Sequence, residues 1–225
     1  SDTTNPNLED ILHYAKEKTF SAAQKKIFAE LEKTPMKRVF HEIEEPLIPV
    51  LTRMERRGVR IDRAYLERLS TEYHTRLDGI QKKITKLAGE EFNASSPKQL
   101  AHILFEKLAL KGTTKRTATG QRSTKESELE KLRDTHPIIP EILAHRELAK
   151  LLGTYIDAIP PLLDGENRLH TTFIQTGAST GRMASQNPNL QNIPLHSEQG
   201  KAIRHAFVAD SGFELLALDY SQIEL

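Results

Sequence analysis

Residues 213–225 read FELLALDYSQIEL, and this stretch decides the fold. The first part, residues 213–218, is mainly apolar, has the length of a β-strand and follows the turn signal Ser211-Gly212. Asp219 comes directly after this predicted strand, so the sheet would hold its backbone while its carboxylate points into open space. Such an aspartate is suited to binding a cation, although a turn or a helix cap is its more common role.

The composition limits the classes of function. The 225 residues suffice for one large or two small domains, with 37% hydrophobic and 28% charged residues. There is no run of about 18 apolar residues, which predicts no membrane span. The absence of cysteine excludes disulfides and thiolate chemistry, and no P-loop, zinc pattern or nucleophile elbow is present. Because the net charge is only +1, a nucleic-acid site must depend on where the charge lies.

The first part of the chain, to about residue 160, has helical periodicity. Its strongest signal is a seam of apolar residues spaced three and four apart, which predicts one long helix between Asp62 and Gly89. Shorter repeats predict helices near residues 47–57, 97–108 and 138–156. The residues of the long seam are Leu66, Leu69, Tyr73, Leu77, Ile80, Ile84 and Leu87.

Two parts of this helical region carry lysine and arginine residues that are candidates for contacts with nucleic acid. Residues 111–125 read KGTTKRTATGQRSTK, with hydroxyl groups, glycines and cations but no acidic residue. Such a loop suits a phosphate backbone, and a solvated mobile loop is an equally good interpretation. Arg146 and Lys150 lie four residues apart on one side of a predicted helix. For that pair a solvated face is the default and a phosphate contact the alternative.

From residue 168 the pattern becomes typical of β-structure, with strands predicted at 168–175, 204–209 and 213–218. Residues 176–194 read TGASTGRMASQNPNLQNIP and are too polar for a core. Their amides and Arg182 suit the hydrogen-bond acceptors of a DNA minor groove. The alternative is a long loop ordered by Asx turns. We therefore expect an α+β fold, with a helical subdomain followed by antiparallel strands.

Several segments resemble motifs of the family A DNA polymerases, the bacterial DNA polymerase I type, and they do so in order. Residues 180–185 and 187–194 resemble the family's TGR and PNLQNIP segments, residues 203–207 its IRxAF strand, and residues 219–225 its motif A. Segments at 54–62, 90–100, 117–124 and 146–155 are also similar to the family. The chain is identified as a member of this family over nearly its whole length, which implies a right-hand polymerase fold.

The resemblance implies template-directed DNA synthesis, in replication and repair, by nucleotidyl transfer that depends on two Mg²⁺ ions. Asp219 resembles the family's metal-binding aspartate, and the backbone carbonyl of Tyr220 would be a second ligand. Glu224 resembles the steric gate against a 2′-hydroxyl, which makes Asp219 and Glu224 the catalytic candidates. With Tyr220 and Glu224, Ser221 and Gln222 would contact the incoming nucleotide.

The resemblance also implies two sets of DNA contacts. The expected minor-groove contacts near the primer terminus are Arg182, Asn189, Gln191 and Asn192. The expected contacts of the duplex backbone are Arg146, Lys150, Thr154, Lys115, Arg116, Arg122 and Lys125. One departure is that residues 150–155 read KLLGTY where the family usually has KLKSTY, so that a cation and a hydroxyl are lost.

The implied domains are the tail of a 3′–5′ exonuclease-like domain (1–44), the lead-in to the palm (45–61), the thumb (62–155) and the first half of the palm, ending in motif A (156–225). The family also needs a second carboxylate and a fingers helix. We therefore expect this chain to be part of a longer polymerase, the rest of which is one of its partners.

The other implied partners are primer–template DNA and deoxynucleoside triphosphates, and no membrane is implied. The implied location is the bacterial cytoplasm, at the nucleoid. We expect the isolated 225 residues to bind duplex DNA at most weakly and in a salt-sensitive way, without incorporating nucleotides. The alternative function is that of a non-catalytic duplex-binding module.

Overall fold

The computed structural model describes residues 6–111, 115–117, 120, 122–178, 180–195 and 197–218. The chain divides into two compact units. The first unit contains residues 1–61, 163–193 and 208–225, and the second contains residues 62–162 and 194–207. Helices and small antiparallel sheets are both present, which confirms the predicted α+β class. In the described ranges no helix is both long and apolar enough to cross a membrane.

The first unit begins with helices α1 (Leu8–Ala15), α2 (Phe20–Leu31) and α3 (Met36–Val39). One π-helical turn, Phe40–Glu44, connects α3 to α4 (Glu45–Arg57). Helix α4 ends at Gly58, which has a φ of 60°. A Cβ atom there would lie 2.8 Å from the His170 ring and from the Leu169 carbonyl oxygen. Glycine is therefore required both by the backbone conformation and by the close approach of Leu169 and His170.

The strands in the described residues are β1 (Val59–Ile61), β2 (Arg168–Leu169), β3 (Thr172–Ile174), β4 (Ala184–Gln186) and β5 (Phe207–Val208). One sheet has the order β2-β1-β5, with Val59 opposite Leu169 in the antiparallel pair β1–β2. The other sheet is the antiparallel pair β3–β4. The single strand predicted at 168–175 is thus two short strands in two sheets. The break falls at His170 and Thr171, whose side chains make hydrogen bonds outside either ladder.

The second unit is built on α5 (Arg63–Ala88), which confirms the predicted long helix. The Asp62 carboxylate accepts the N–H of Tyr65 at 2.9 Å, and Gly89 ends the helix in a left-handed conformation. The other helices are α6 (Pro97–His102), α7 (Glu126–Glu130), α8 (Ile138–Leu151) and α9 (Glu198–Arg204). Single π-helical turns, Ile103–Lys107 and Leu152–Ile156, extend α6 and α8, and a 3₁₀ turn follows at Pro160–Leu162.

A continuous apolar core joins α5, α6, α7 and α8. Ile84 of α5, Leu100 of α6, Leu129 of α7 and Ile142 of α8 are each fully buried in it. His145 of α8 is also buried, and its Nδ1 has no hydrogen-bond partner. Burial, with a smaller effect of neighbouring Arg146, lowers the pKa of His145, so that the neutral ring is favoured.

The prediction of a last strand at residues 213–218 is wrong. This segment is irregular, and Phe213, Leu215, Leu216 and Leu218 are strongly exposed. An apolar run forms a strand only where a neighbouring strand accepts its hydrogen bonds and covers one face, and no described strand pairs with it. The strand predicted at 204–209 is shortened to β5, because α9 extends to Arg204 and is capped by Ser197.

Replacing Ile142 by alanine is expected to destabilise the protein by about 2–5 kcal/mol, because the deleted side chain leaves a cavity in the core of the second unit. The measurement is the free energy of unfolding by urea. Ile48, which is 49% exposed on α4, provides the matched control. The Ile48→Ala variant is expected to change stability by less than about 0.5 kcal/mol, and equal losses in both variants would contradict the proposed core.

Candidate nucleic-acid interface

In the first unit, the polar segment 176–193 is organised by the β3–β4 pair. Ser185 of β4 is buried, and its hydroxyl oxygen accepts the N–H of Leu190 at 3.1 Å. The hydroxyl of Thr171 lies 2.7 Å from the Pro188 carbonyl oxygen and 3.1 Å from that of Gln186. The Asn187–Pro188 peptide bond is cis. These bonds hold residues 187–190 against the end of β4.

The amide side chains of this segment are divided between internal and outward roles. The Oδ1 atom of Asn189 accepts the N–H of Gln191 at 3.0 Å, which is an Asx turn. The Nε2 atom of Gln191 donates to the Met183 carbonyl at 2.9 Å. Asn189, Gln191 and Asn192 are all exposed, and no hydrogen bond to a described residue uses Nδ2 of Asn189 or the side chain of Asn192. Amide donors are therefore available for acceptors outside the chain.

Arg182 is exposed directly after Gly181, which has a φ of 77°. At Gly177 an added Cβ atom would lie 2.6 Å from the Cβ of Ala184. The segment can therefore lie closely over β4 only with glycine at this position. The two sequence alternatives for residues 176–194 are compatible, because an Asx turn orders a loop that still presents Arg182 and three amides.

In the second unit, residues 115–125 form what we call the basic loop, of which residues 115–117, 120 and 122–125 are described. Arg116 and Arg122 form an antiparallel bridge. The N–H of Ser123 donates to the carbonyl of Lys115 at 2.7 Å, and the guanidinium of Arg116 donates to the carbonyl of Gly120 at 2.9 Å. The described part of this segment is thus a hydrogen-bonded hairpin.

Two of the predicted DNA-contacting arginines make internal bonds. The guanidinium of Arg122 lies 3.9 Å from the ring centre of Phe105 and donates to the Leu110 carbonyl at 3.2 Å. Arg146 is half-buried and donates to the carbonyl and the hydroxyl of Thr124. Burial lowers the pKa of Arg146, with Glu126 opposing this effect, but an arginine stays charged at neutral pH. Both arginines therefore anchor the loop.

The remaining predicted backbone contacts are exposed. Lys115, Arg116 and Lys125 lie on the basic loop, and Lys150 and Thr154 lie at the end of α8 and in the turn after it. None of the four cations has a carboxylate within 4.0 Å in the described part of the chain. Their charges are therefore available to an anionic ligand.

An ion cluster connects the elements of the first unit. The Asp210 carboxylate pairs closely with Arg168 of β2, and it lies 3.4 Å from Arg57 and 3.8 Å from Arg60. The pairing with Arg168 is the main reason why the pKa of Asp210 is lowered. Asp210 immediately precedes the Ser211-Gly212 turn. The cluster thus fixes the backbone at Asp210, just before the turn that leads into residues 213–218.

The motif A candidates lie outside the described residues. These are Asp219, Tyr220, Ser221, Gln222 and Glu224, for which the structure gives no geometry. In the described residues, no group of three or more histidines and carboxylates is arranged to hold a metal ion.

Sequence reasoning missed two acidic residues that order the candidate surfaces. Glu55 of α4 accepts the N–H of Phe173 at 2.7 Å and so fixes β3. Glu128 of α7 is 4% exposed and accepts the N–H of Lys115 at 2.9 Å. Neither could be separated by sequence from the acidic residues around it. Both bind a main-chain donor more than ten residues away, and only the fold decides which carboxylate reaches it.

The sequence profile of DNA polymerase family A matches residues 63–225, which is more than two thirds of the chain. The chain belongs to this family. Among its relatives, DNA polymerase I of Deinococcus radiodurans is 54% identical over 190 residues, which cover 84% of this chain and 20% of the relative. The thermostable DNA polymerase I of Thermus thermophilus is 44% identical over 236 residues, which cover 100% of this chain and 28% of the relative.

A solved structure is also similar in fold. It is the POL domain of Pol1 from M. smegmatis in complex with DNA primer-template and dNTP, which matches with a TM-score of 0.87 and 32% identity. The match covers 98% of this chain and 41% of that chain. Against the curated relatives named above, this member of the family spans about a fifth to somewhat more than a quarter of their length.

The first unit is expected to lose stability as the pH rises through the pKa of His170. Asp164, whose carboxylate lies 3.0 Å from the ring, and the Glu55 carbonyl raise that pKa, while the pKa of Asp164 is lowered to about 2. The folded chain therefore binds the His170 proton more tightly than the unfolded chain does. The resulting stability is complete below about pH 6.5 and is lost above the raised pKa.

The measurement is the midpoint of urea unfolding between pH 5.5 and 9, followed by circular dichroism, for the unmodified chain and for His170→Gln. The histidine variant and its partner variant Asp164→Asn are both expected to show a weaker decline of the midpoint toward high pH. If the decline is the same in all three proteins, the His170–Asp164 pair does not produce it.

Proposed function

We propose that this chain is the part of a template-directed DNA polymerase that binds the primer–template duplex and contributes one metal-binding aspartate. The observation that supports the proposal most directly is the division of the amides in residues 189–192. Internal bonds of Asn189 and Gln191 order the loop, and the remaining amide donors are exposed and would suit the acceptors that a minor groove presents. Relatives that are named DNA polymerase I support it independently.

The proposed division of labour follows the exposure of the side chains. Arg182, Asn189, Gln191 and Asn192 would contact the minor groove near the primer terminus. The exposed cations Lys115, Arg116, Lys125 and Lys150, with the hydroxyl of Thr154, would contact the duplex backbone. Arg122 and Arg146 would add positive potential while they hold the basic loop. Phosphate contacts of this kind position a protein on DNA, and they do not depend on base sequence.

The domain assignment is part of this proposal. Residues 1–44 would be the tail of an exonuclease-like domain and residues 45–61 the lead-in to the palm. Residues 62–155 would be the thumb, and residues 156–225 the first half of the palm. The rest of the polymerase would supply the fingers, and the proposed setting is the bacterial cytoplasm at the nucleoid.

The chemistry is proposed for motif A in the longer protein. The Asp219 carboxylate and the Tyr220 carbonyl are oxygen donors, which is the ligand type that Mg²⁺ prefers. When bound, such ions stabilise the charge that develops on the attacking and leaving oxygens of an in-line displacement. Glu224 would exclude a 2′-hydroxyl from the sugar position, and Ser221 and Gln222 would position the deoxynucleoside triphosphate.

A second function is proposed for the isolated 225 residues, namely duplex binding without nucleotide incorporation. Motif A contributes Asp219 as its only aspartate, whereas nucleotidyl transfer of this type uses two ions held by more than one acidic residue. Magnesium-dependent primer extension by the purified 225-residue chain would contradict this second function.

Duplex binding by the chain is expected to weaken steeply as the salt concentration rises. Removing one cation that contacts a DNA phosphate is expected to lower the slope of log Kd against log[salt] by about 1. The variants are Lys115→Ala and Lys150→Ala, measured by fluorescence anisotropy with a labelled primer–template. Lys33→Ala is the matched control, because Lys33 is exposed in the first unit outside both candidate surfaces. A slope that changes equally in all three variants would mean that the lost charge acts only through the net charge.

In a polymerase that contains this chain, Asp219→Asn is expected to lower primer extension by roughly a hundredfold or more, because a ligand of the ions that stabilise the transition state loses its charge. Duplex affinity should change little. Glu214→Gln, which removes the same charge from an exposed position nearby, is the control. Full extension by the Asp219→Asn enzyme would remove the metal-ligand role.

A further inference from the structure

Glu128 is a carboxylate in an unusual position for a cationic surface. It lies on α7 between the exposed residues Glu126 and Glu130, but it is only 4% exposed. A buried carboxylate is costly unless hydrogen bonds compensate for the water that it loses. Glu128 has two such bonds: Oε1 accepts from Nζ of Lys131 at 2.7 Å, and Oε2 accepts the N–H of Lys115 at 2.9 Å.

These two bonds keep Glu128 ionised. The bond from Lys131 and then the bond from the Lys115 N–H lower the pKa of the Glu128 carboxyl, and burial opposes them. Lys131 is half-exposed and lies three residues further along the chain, so its bond with Glu128 is local and connects α7 to no other element. The bond to Lys115 spans thirteen residues and reaches the first described residue of the basic loop. This second bond connects the loop to the packed helices.

The base of the basic loop is held at both ends through its main chain. Glu128 binds the N–H of Lys115, and Arg146 binds the carbonyl of Thr124. Between these points the N–H of Ser123 donates to the Lys115 carbonyl, so both main-chain groups of Lys115 are in hydrogen bonds. The ammonium group of Lys115 takes no part in any of them. The described base of the loop is therefore fixed, and the side-chain charges of the exposed residues Lys115 and Arg116 are not used in these bonds.

We propose that Glu128 is a positioning residue, which holds the basic loop so that Lys115 and Arg116 meet the duplex backbone in a fixed arrangement. This inference rests on the proposed function of duplex binding. A loop that is already ordered loses less conformational freedom on binding than a mobile loop does. An acidic residue thereby strengthens the binding of a polyanion, although its own charge repels that polyanion.

The opposition between these two effects gives a test with a defined sign. Replacing Glu128 by leucine or glutamine removes one negative charge close to the DNA-binding loop. If only the charge mattered, both variants would bind duplex more tightly. If Glu128 positions the loop, Glu128→Leu binds roughly 3- to 10-fold more weakly, because a bond to an ionised acceptor is lost. Glu128→Gln retains an oxygen acceptor for the Lys115 N–H and is expected to lie between Glu128→Leu and the unmodified chain.

The experiment is fluorescence anisotropy with a labelled primer–template duplex, performed with the complete 225-residue chain. Glu126→Gln is the matched control, since it removes the same charge from an exposed position on the same helix. It is expected to bind as tightly as the unmodified chain or more tightly. Amide hydrogen exchange at Lys115 provides a second readout, which should accelerate in Glu128→Leu while exchange at Ile142 in the core stays slow.

The proposal is overturned if Glu128→Leu and Glu128→Gln both bind as tightly as Glu126→Gln, or if exchange at Lys115 is unchanged in them. If Glu128→Leu fails to fold, the same two criteria apply to Glu128→Gln, which preserves the shape of the side chain. A failure of the proposed function is distinguishable, because in that case the unmodified chain itself would not bind the duplex.

Discussion

A cation that is to bind a phosphate must be held in position without being neutralised by the protein that holds it. The basic loop meets this constraint by placing its anchoring bonds on the main chain. Glu128 binds an N–H group and Arg146 binds a carbonyl oxygen, so the ammonium group of Lys115 takes part in neither bond. The amide segment of the first unit follows the same principle, because the Asx turn of Asn189 uses Oδ1 and leaves Nδ2 available. In both segments the backbone is ordered by internal hydrogen bonds while side-chain donors stay available to an external ligand.

The Asp210 cluster shows the opposite use of charge. Three guanidinium groups, from Arg57, Arg60 and Arg168, lie within 4 Å of one carboxylate, and they connect the end of α4 to β1 and β2. Arg168, the most buried of the three, forms the close pair, while Arg57 and Arg60 stay largely exposed, so the cluster keeps a net positive charge. A net charge of +1 therefore does not describe the local distribution of charge, since Lys115, Arg116, Lys125 and Lys150 have no carboxylate within 4.0 Å among the described residues.

Two histidines of the chain, one buried and one partly buried, have pKa values that are shifted in opposite directions. His145 lies in the helical core of the second unit, where burial favours the neutral ring. His170 lies beside Asp164 in the first unit, where the carboxylate favours the protonated ring. The opposite directions of these two pKa shifts arise from the surroundings of the rings and not from the residue type.

The sequence by itself determined the family, the α+β class and the long helix α5, because an apolar seam at helical spacing and an ordered set of motifs are local signals. It also placed the candidate cations and amides on particular segments. Only the tertiary structure decided which of these side chains are exposed and which become anchors, as Arg122 and Arg146 do. It also decided that residues 213–218 pair with no described strand, since a strand requires a partner that a local pattern does not specify. The role of Glu128 depends on a hydrogen bond across thirteen residues, and no sequence spacing distinguishes it from the neighbouring acids.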